Sequence, residues 1–175
     1  GTALALQIGH RDSVDVEFFT EKNIDTVALG NECEYIFKDH SVVKTQDERN
    51  TLAYTVDGVS NSFMTFPYVL IKPLVLSEHI NLASIEDIGC MKLSAITSRA
   101  TLRDYVDLYF ILKYISLPEL LSKCSEKMTG LDLMLILKSI VYFEDAEPTP
   151  ITFTKDHMVT FDEVKEKLRG EVKKM

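Results

Sequence analysis

Apolar and polar residues alternate at every second position in several short stretches of the first half of the chain, as in strands that bury one face. Four such stretches predict β-strands: Ser13–Thr20, Ser41–Thr45, Thr51–Val56 and Val59–Thr65. Asp57-Gly58 lies between the last two stretches and predicts a tight hairpin turn. Two helices, Ala3–Gln7 and Thr20–Leu29, are predicted around the first strand.

From Ser84 onward, apolar residues recur every three to four positions, which is typical of amphipathic helices. Five helices are predicted: Ile85–Ser98, Leu102–Tyr114, Leu117–Lys127, Leu131–Phe143 and Phe161–Val172. Ser84 with Asp87, and Thr101 with Asp104, have the spacing of N-terminal capping boxes. The pattern predicts an α+β fold, with a small mixed sheet flanked by helices over residues 1–82 and a helical bundle over residues 83–175.

The composition is that of a globular protein. Hydrophobic residues make up 46% of the 175 residues and charged residues 26%, which excludes disorder of the whole chain. The 27 acidic residues outnumber the 19 basic ones and give a formal charge of −8. This balance argues against a broad nucleic-acid-binding surface, although a local basic groove remains compatible with it.

The cysteines and the apolar stretches bear on the compartment. Cys33, Cys90 and Cys124 form no CxxC pair and are odd in number, which argues against a disulfide framework or a zinc site and favours a reduced cytoplasm. No stretch reaches the roughly 18 apolar residues of a membrane span, and the start lacks the basic region of a signal peptide. The chain opens abruptly on Gly1-Thr2 before a helix, so we expect an N-terminal element to precede it.

Two carboxylates stand out in the first predicted strand. Asp15 and Glu17 are one residue apart, so their side chains share a face about 6–7 Å apart. Such a pair is repulsive unless a cation lies between the carboxylates, and Mg²⁺ fits because its other ligands are water and substrate phosphates. Taken alone, the pair is more often the solvated outer face of a half-buried strand.

The residues before this strand favour the metal-binding interpretation. Gly1-Thr2 leads into a helix, and a helix start offers free backbone N–H groups to a phosphate. Arg11 and Ser13 add side-chain donors beside the carboxylates. Nucleotidyl transfer needs this combination, with phosphates held on one side and a metal ion on the other.

These segments, Gly1–Gln7 and His10–Phe19, resemble the first motif of AbiEii/AbiGii-type nucleotidyltransferases, toxins within the polymerase-β-like superfamily. In that family the second acid is usually Asp, so Glu17 is a conservative departure. Later segments resemble the same family in the same order: Ser84–Ile88, Met91–Ile96, Arg99, Arg103–Tyr109, Lys138–Ser139 and Tyr142–Phe143. The strand after the hairpin lacks the third carboxylate that is common in the superfamily, so we expect one firmly held metal ion.

The helical half contains charges on apolar faces. Lys92 and Arg99 fall inside the apolar arc of their helix, so each must find an anion or extend to solvent. Asp104 and Asp107 share a face of the next helix and would pair with Lys92, Arg99 or Arg103. The alternatives are a Lys92 that only reaches solvent, and an Asp104 that only caps its helix with a structural ion pair.

The resemblance implies an enzyme that moves a nucleotide from an NTP to an acceptor hydroxyl, such as a tRNA 3′ end or a protein, with a cognate antitoxin as partner. Together with the residue patterns it gives three sets of expected site residues. Asp15 and Glu17 would bind Mg²⁺, and the further catalytic residues would be Lys92, Asp104 and Asp107. The NTP would be bound by Gly1, Thr2, Arg11, Ser13 and Arg99. The alternative is a non-catalytic domain that retains this fold and binds a nucleotide or a partner protein.

Overall fold

The computed structural model describes residues Gly1–Met175, and packing divides them into two units. Unit 1 comprises residues 1–2 and 13–69, and unit 2 comprises residues 3–12 and 70–175. The division differs from the expected 1–82 and 83–175, because residues 3–12 and 70–82 pack with the helices. None of the helices is long and apolar enough to cross a membrane.

Unit 1 contains a four-stranded mixed sheet, as the α+β prediction required. Its strands are β1 Val16–Thr20, β2 Val42–Glu48, β3 Thr51–Val56 and β4 Val59–Thr65. The spatial order is β1-β4-β3-β2, with β1 parallel to β4 and the other neighbours antiparallel. β1 is therefore an edge strand that pairs only with β4.

The hairpin between β3 and β4 is the predicted one. Asp57 and Gly58 have φ angles of 49° and 84°, and two positive values in a two-residue loop are typical of a type I′ turn. The first strand is shorter than predicted, because its pairing begins at Val16. Asp15 therefore lies in the extended segment that leads into β1.

One helix of unit 1 was predicted at the wrong position. α2 spans Thr26–Ile36, whereas Thr20–Leu29 was expected. Asp25 caps the helix by accepting hydrogen bonds from the Val27 and Ala28 amides, and this cap fixes where the helix starts. Packing of α2 on the sheet forms the core of the unit around Cys33, Leu52, Tyr54 and Val56.

Unit 2 is helical. Its helices are α1 Thr2–Ile8 (from Ala3 onward), α3 Ile85–Arg99, α4 Leu102–Ile111, α5 Leu117–Lys127, α6 Leu133–Ile140 and α7 Phe161–Val172. The predicted bounds are confirmed for α5 and α7, whereas α4 and α6 are shorter than predicted. Thr101 and Asp104 form the predicted reciprocal capping box. Ser84 caps α3 by accepting from the Asp87 amide, but the Asp87 carboxylate accepts from the Ser84 hydroxyl and not from its amide, so this pair is not a reciprocal box.

α3 is the central helix of unit 2. It packs against α4, α5 and α6, so several of its faces are covered. Asp87 and Cys90 of this helix are both fully buried. The three cysteines are buried thiols without a disulfide.

Candidate active site

The segment that leads into β1 is held by one hydroxyl group. Thr2 Oγ1 lies 2.8 Å from Ser13 Oγ and also donates a hydrogen bond to the backbone carbonyl of Asp15. A threonine hydroxyl carries one proton, so Ser13 must be the donor in the Thr2–Ser13 bond. Thr2 therefore fixes both Ser13 and the backbone of Asp15.

The two strand carboxylates are both exposed. Glu17 stands opposite Ser62 of β4, and its Oε2 lies 3.8 Å from the nitrogen of Gly1. Asp15, two positions earlier, is exposed just before the strand. The neighbouring strand contributes Ser60 and Ser62 at alternate positions, with no acid there.

The arrangement of Asp15 and Glu17 suits an open Mg²⁺ site better than a metal site closed entirely by protein ligands. No group of three or more His, Cys, Asp or Glu side chains is arranged to hold a metal ion. Mg²⁺, however, is commonly bound through one or two carboxylates and completes its octahedron with water and substrate phosphates. Exposed oxygen ligands of this kind match that mode of binding.

A second cluster lies in unit 2 and is centred on Asp107 of α4. Asp107 Oδ1 accepts from His10 Nε2 at 2.8 Å and from Arg11 Nε at 2.7 Å. Asp107 Oδ2 accepts from Arg11 Nη2 at 2.9 Å and from Lys92 Nζ at 2.7 Å. A carboxylate has about four lone-pair sites, so Asp107 is saturated by its protein neighbours.

Lys92 of α3 bridges the two carboxylates of α4. Its Nζ lies 2.8 Å from Asp104 Oδ1 and 2.7 Å from Asp107 Oδ2, and its side chain is only 12% exposed. The interpretation that Lys92 merely extends to solvent is wrong. An ammonium group has three N–H donors. These two contacts leave a third donor for another acceptor.

The two carboxylate oxygens of Asp104 have different partners. Its Oδ1 accepts from Lys92, while Oδ2 accepts from the amide and hydroxyl of Thr101 in the capping box. Asp104 thus caps its helix and forms an ion pair with Lys92, as one of the two interpretations expected. Arg99, which was expected on the apolar arc, is exposed, and its charge acts on Asp104 from solvent.

The cluster keeps all its acids and its lysine ionised. Burial opposes the charge on Asp107, but the His10 hydrogen bond, Lys92 and Arg11 outweigh burial and hold the pKa of Asp107 far below its usual range. The pKa of Asp104 is lowered in the same way, since Lys92 and Thr101 outweigh its burial. Burial likewise opposes the charge on Lys92, yet Asp107 and Asp104 raise the pKa of Lys92.

These charges balance within the cluster. Two carboxylates face two permanent cations, Lys92 and Arg11, and His10 donates through Nε2 because an ionised carboxylate only accepts. Asp107 therefore has no lone pair left for a metal ion or for the proton of an acceptor hydroxyl. The Asp107 carboxylate instead holds the ammonium group of Lys92 in place and keeps it charged.

Two residues of this cluster have different roles from those the sequence suggested. Arg11 was expected to offer donors to an NTP beside Ser13; instead it is buried, with its guanidinium on Asp107 and on the carbonyl of Asp12. A buried carboxylate needs a cation, and Arg11 meets that need. His10 has no metal-ligand spacing to another histidine in the sequence, yet it lies directly before Arg11 in the recognised motif.

Asp87 and Lys127 form another buried ion pair, which the sequence patterns did not indicate. Asp87 Oδ1 accepts from Lys127 Nζ at 2.6 Å and from the Ile71 amide at 3.0 Å, while Oδ2 accepts from Ser84 Oγ at 2.7 Å and the Lys72 amide at 3.2 Å. Burial opposes its charge, but these donors lower the pKa of Asp87. The pair joins α3, α5 and residues 71–72, which indicates a structural role.

Comparison with known proteins agrees with the motifs. A family model described as nucleotidyl transferase AbiEii toxin, type IV TA system, matches residues 1–168. An uncharacterised protein of Aquifex aeolicus, aq_aa25, is 34% identical over 152 residues, which is 83% of this chain and 72% of that protein. The crystal structure of JHP933 from Helicobacter pylori matches with a TM-score of 0.55 and 19% identity, covering 99% of this chain and 80% of that chain. The last likeness shows the fold alone.

Proposed function

The chain belongs to the AbiEii nucleotidyl transferase toxin family of type IV toxin–antitoxin systems, and from that membership we propose that it transfers a nucleotide from an NTP to an acceptor hydroxyl. In this reaction the acceptor oxygen forms a bond to the α-phosphorus of the NTP. The bond between the α-phosphorus and the bridging oxygen to the β-phosphate breaks, and pyrophosphate leaves. The acceptor proton passes to an acid near the metal ion, which acts as the general base.

The observation that carries the proposal is the buried cluster of Lys92, Asp104, Asp107 and Arg11. A lysine held by two ionised carboxylates, with one donor unused, is an arrangement suited to stabilising negative charge on phosphate oxygens. In the chain, His10 and Arg11 of this cluster directly precede the Ser13–Glu17 motif.

In the proposed mechanism, Asp15 and Glu17 would hold Mg²⁺, which would supply positive charge to neutralise the phosphates. Ser13, Gly1 and Thr2 bind the triphosphate beside the carboxylates. Ser13 must give up its bond to Thr2 in order to donate to a phosphate oxygen, since its single proton is used in that bond.

Lys92 stabilises the charge that develops as pyrophosphate leaves, and exposed Arg99 contributes to binding the NTP. Asp104 and Asp107 orient the ammonium group of Lys92. We assign Arg11 to the support of Asp107 and not to direct contact with the NTP, because its guanidinium already donates to Asp107 and Asp12.

The acceptor is proposed to be RNA, with the 3′ hydroxyl of a tRNA as the first candidate, and a protein hydroxyl as the second. A cognate antitoxin is implied by the family. The competing proposal is a domain that has kept the fold but binds a nucleotide or partner without turnover. The absence of a third acid opposite Glu17 favours this alternative.

The experiment that separates the two proposals is incorporation of label from each NTP, labelled at the α-phosphate, into total RNA with and without Mg²⁺. The Asp15→Asn variant is the inactive control. Magnesium-dependent labelling of one RNA class by wild type alone would support transfer. Nucleotide binding without labelling of RNA or protein would support the non-catalytic alternative.

A further inference from the structure

His10 is a buried histidine with one used and one unused ring nitrogen. It is fully buried, its Nε2 donates to Asp107 Oδ1 at 2.8 Å, and its ring lies 4.9 Å from that of Phe110. Its Nδ1 is buried and has no hydrogen-bond partner. The His10 side chain therefore has a single polar interaction, and that interaction is with the carboxylate that holds Lys92.

We infer that His10 is a positioning residue for Lys92 and acts through Asp107. His10 and Arg11 share Oδ1, whereas Arg11 and Lys92 share Oδ2. This division directs only one oxygen of Asp107 to the lysine. Without the His10 donor, Oδ1 would keep only its bond from Arg11 Nε, and the carboxylate would be held less firmly against the ammonium group of Lys92.

The backbone of His10 is fixed by the segment before α7. The amide of Thr154 donates to the His10 carbonyl at 3.3 Å, and Thr154 Oγ1 donates to the Gly9 carbonyl at 2.6 Å. Arg11 pairs with Phe153 in an antiparallel bridge. These contacts hold the backbone of His10 and of the residues before and after it. The His10 ring therefore has little freedom to follow Asp107 if that carboxylate moves.

The effect of His10 on catalysis rests on the proposed function, whereas its effect on the ammonium group of Lys92 does not. Three substitutions separate its hydrogen bond from its bulk. His10→Gln places an amide donor near the position of Nε2, and His10→Asn places one near Nδ1. His10→Phe keeps a ring against Phe110 but has no donor.

We expect His10→Gln to retain most of the kcat of the wild type. His10→Asn and His10→Phe should lose about tenfold or more in kcat with little change in the KM for NTP, because a hydrogen bond to a charged group is lost. Equal kcat in all three variants would overturn the inference. So would an equal loss of kcat and of Tm in all three, since that pattern describes a purely structural histidine.

The second measurement is the ¹H–¹⁵N NMR signal of the Lys92 ammonium group, assigned by its disappearance in Lys92→Arg. The inference predicts that His10→Gln leaves this signal in place and that His10→Asn and His10→Phe shift or broaden it. An unchanged signal in all variants would contradict the inference even where transfer is active. If the wild type transfers no nucleotide, the proposed function fails, and the ammonium signal still decides the role of His10.

Discussion

Arg11 and Asp107 are 96 positions apart in the chain and meet through two parallel hydrogen bonds of 2.7 and 2.9 Å in a buried site. The bidentate pair joins the segment that precedes the Ser13–Glu17 motif to α4. Lys92 and His10 complete the surroundings of Asp107. The charge of the proposed catalytic lysine is therefore supported by residues from two distant parts of the sequence.

Asp107→Asn should destabilise the protein by about 3–5 kcal/mol, because it leaves Arg11 and Lys92 buried without their shared anion. Urea unfolding of the variant and the wild type measures the difference. The matched control is Asp12→Asn, which removes an exposed carboxylate from the same segment as Arg11. A loss as small as that of the control would show that Asp107 is not a buried ionised centre.

Stability should fall in acid through the buried carboxylates. The pKa of Asp107, Asp104 and Asp87 is lowered in the folded protein, so the stability that they contribute is present above the unfolded value of about 3.9. That contribution is lost as the pH falls below about 4. Between about pH 2 and 4, chemical unfolding should show a smaller slope of stability against pH in Asp107→Asn than in the wild type.

On the alkaline side, stability should fall as the pH rises, which is the opposite of its dependence on pH in acid. The pKa of Lys92 is raised in the folded protein, so its contribution is complete below the unfolded value of about 10.4 and is lost as the pH rises further. Lys92→Met should therefore remove the loss of stability above about pH 10, and it should also change the acid side of the profile, because Lys92 lowers the pKa of Asp104 and Asp107. A variant that loses as much stability above about pH 10 as the wild type would contradict the assignment of a charged Lys92.

Lys92→Met should reduce transfer more than it reduces affinity for the NTP. Methionine keeps most of the length of the lysine stem and removes the charge, and the negative charge that it would stabilise is greatest in the transition state. Asp107 keeps Arg11 and His10 as partners, so we expect the fold to survive. Single-turnover kinetics and NTP titration measure the two losses. An unchanged rate constant would remove Lys92 from the site.

Mg²⁺ and NTP together should stabilise the protein more than either alone. Two carboxylates leave most of the magnesium octahedron to water, so binding of Mg²⁺ alone is weak until phosphates supply further ligands. A ligand that binds only the folded state adds about RT ln(1 + [L]/Kd) to its stability. Thermal unfolding with each ligand and with both tests this. If the shift in Tm with both ligands equals the sum of the shifts with each ligand alone, that result would count against a shared site.

The strongest local patterns predicted the fold correctly. Asp57-Gly58 fixed the β3–β4 hairpin, because both positions adopt positive φ angles that these residues tolerate. α5 has the predicted bounds because Ser116 caps its start and a proline follows in the first turn. α2 was misplaced because the apolar pattern began before Asp25, whose cap determines the first helical residue.

The candidate site was only partly predictable. Cations and two acids on consecutive helices predicted an ion pair, with Lys92, Arg99 and Arg103 as the candidate partners, and Lys92 is the one that forms it. The partners that saturate Asp107 lie 96 and 97 positions away, and no periodic pattern connects them. Their only sequence signal was that His10 and Arg11 belong to the recognised motif, which gave no indication that they point to α4.

The most direct test of nucleotidyl transfer compares an NTP labelled at the α-phosphate with the same NTP labelled at the γ-phosphate, in the presence of Mg²⁺ and acceptor RNA. The account predicts that the α-label enters the acceptor and that the γ-label is released as pyrophosphate. Asp15→Ala and Glu17→Ala should abolish both events while their Tm stays at or above that of the wild type, because removing one carboxylate relieves repulsion. Entry of the γ-label, or wild-type transfer by either variant, would contradict the account.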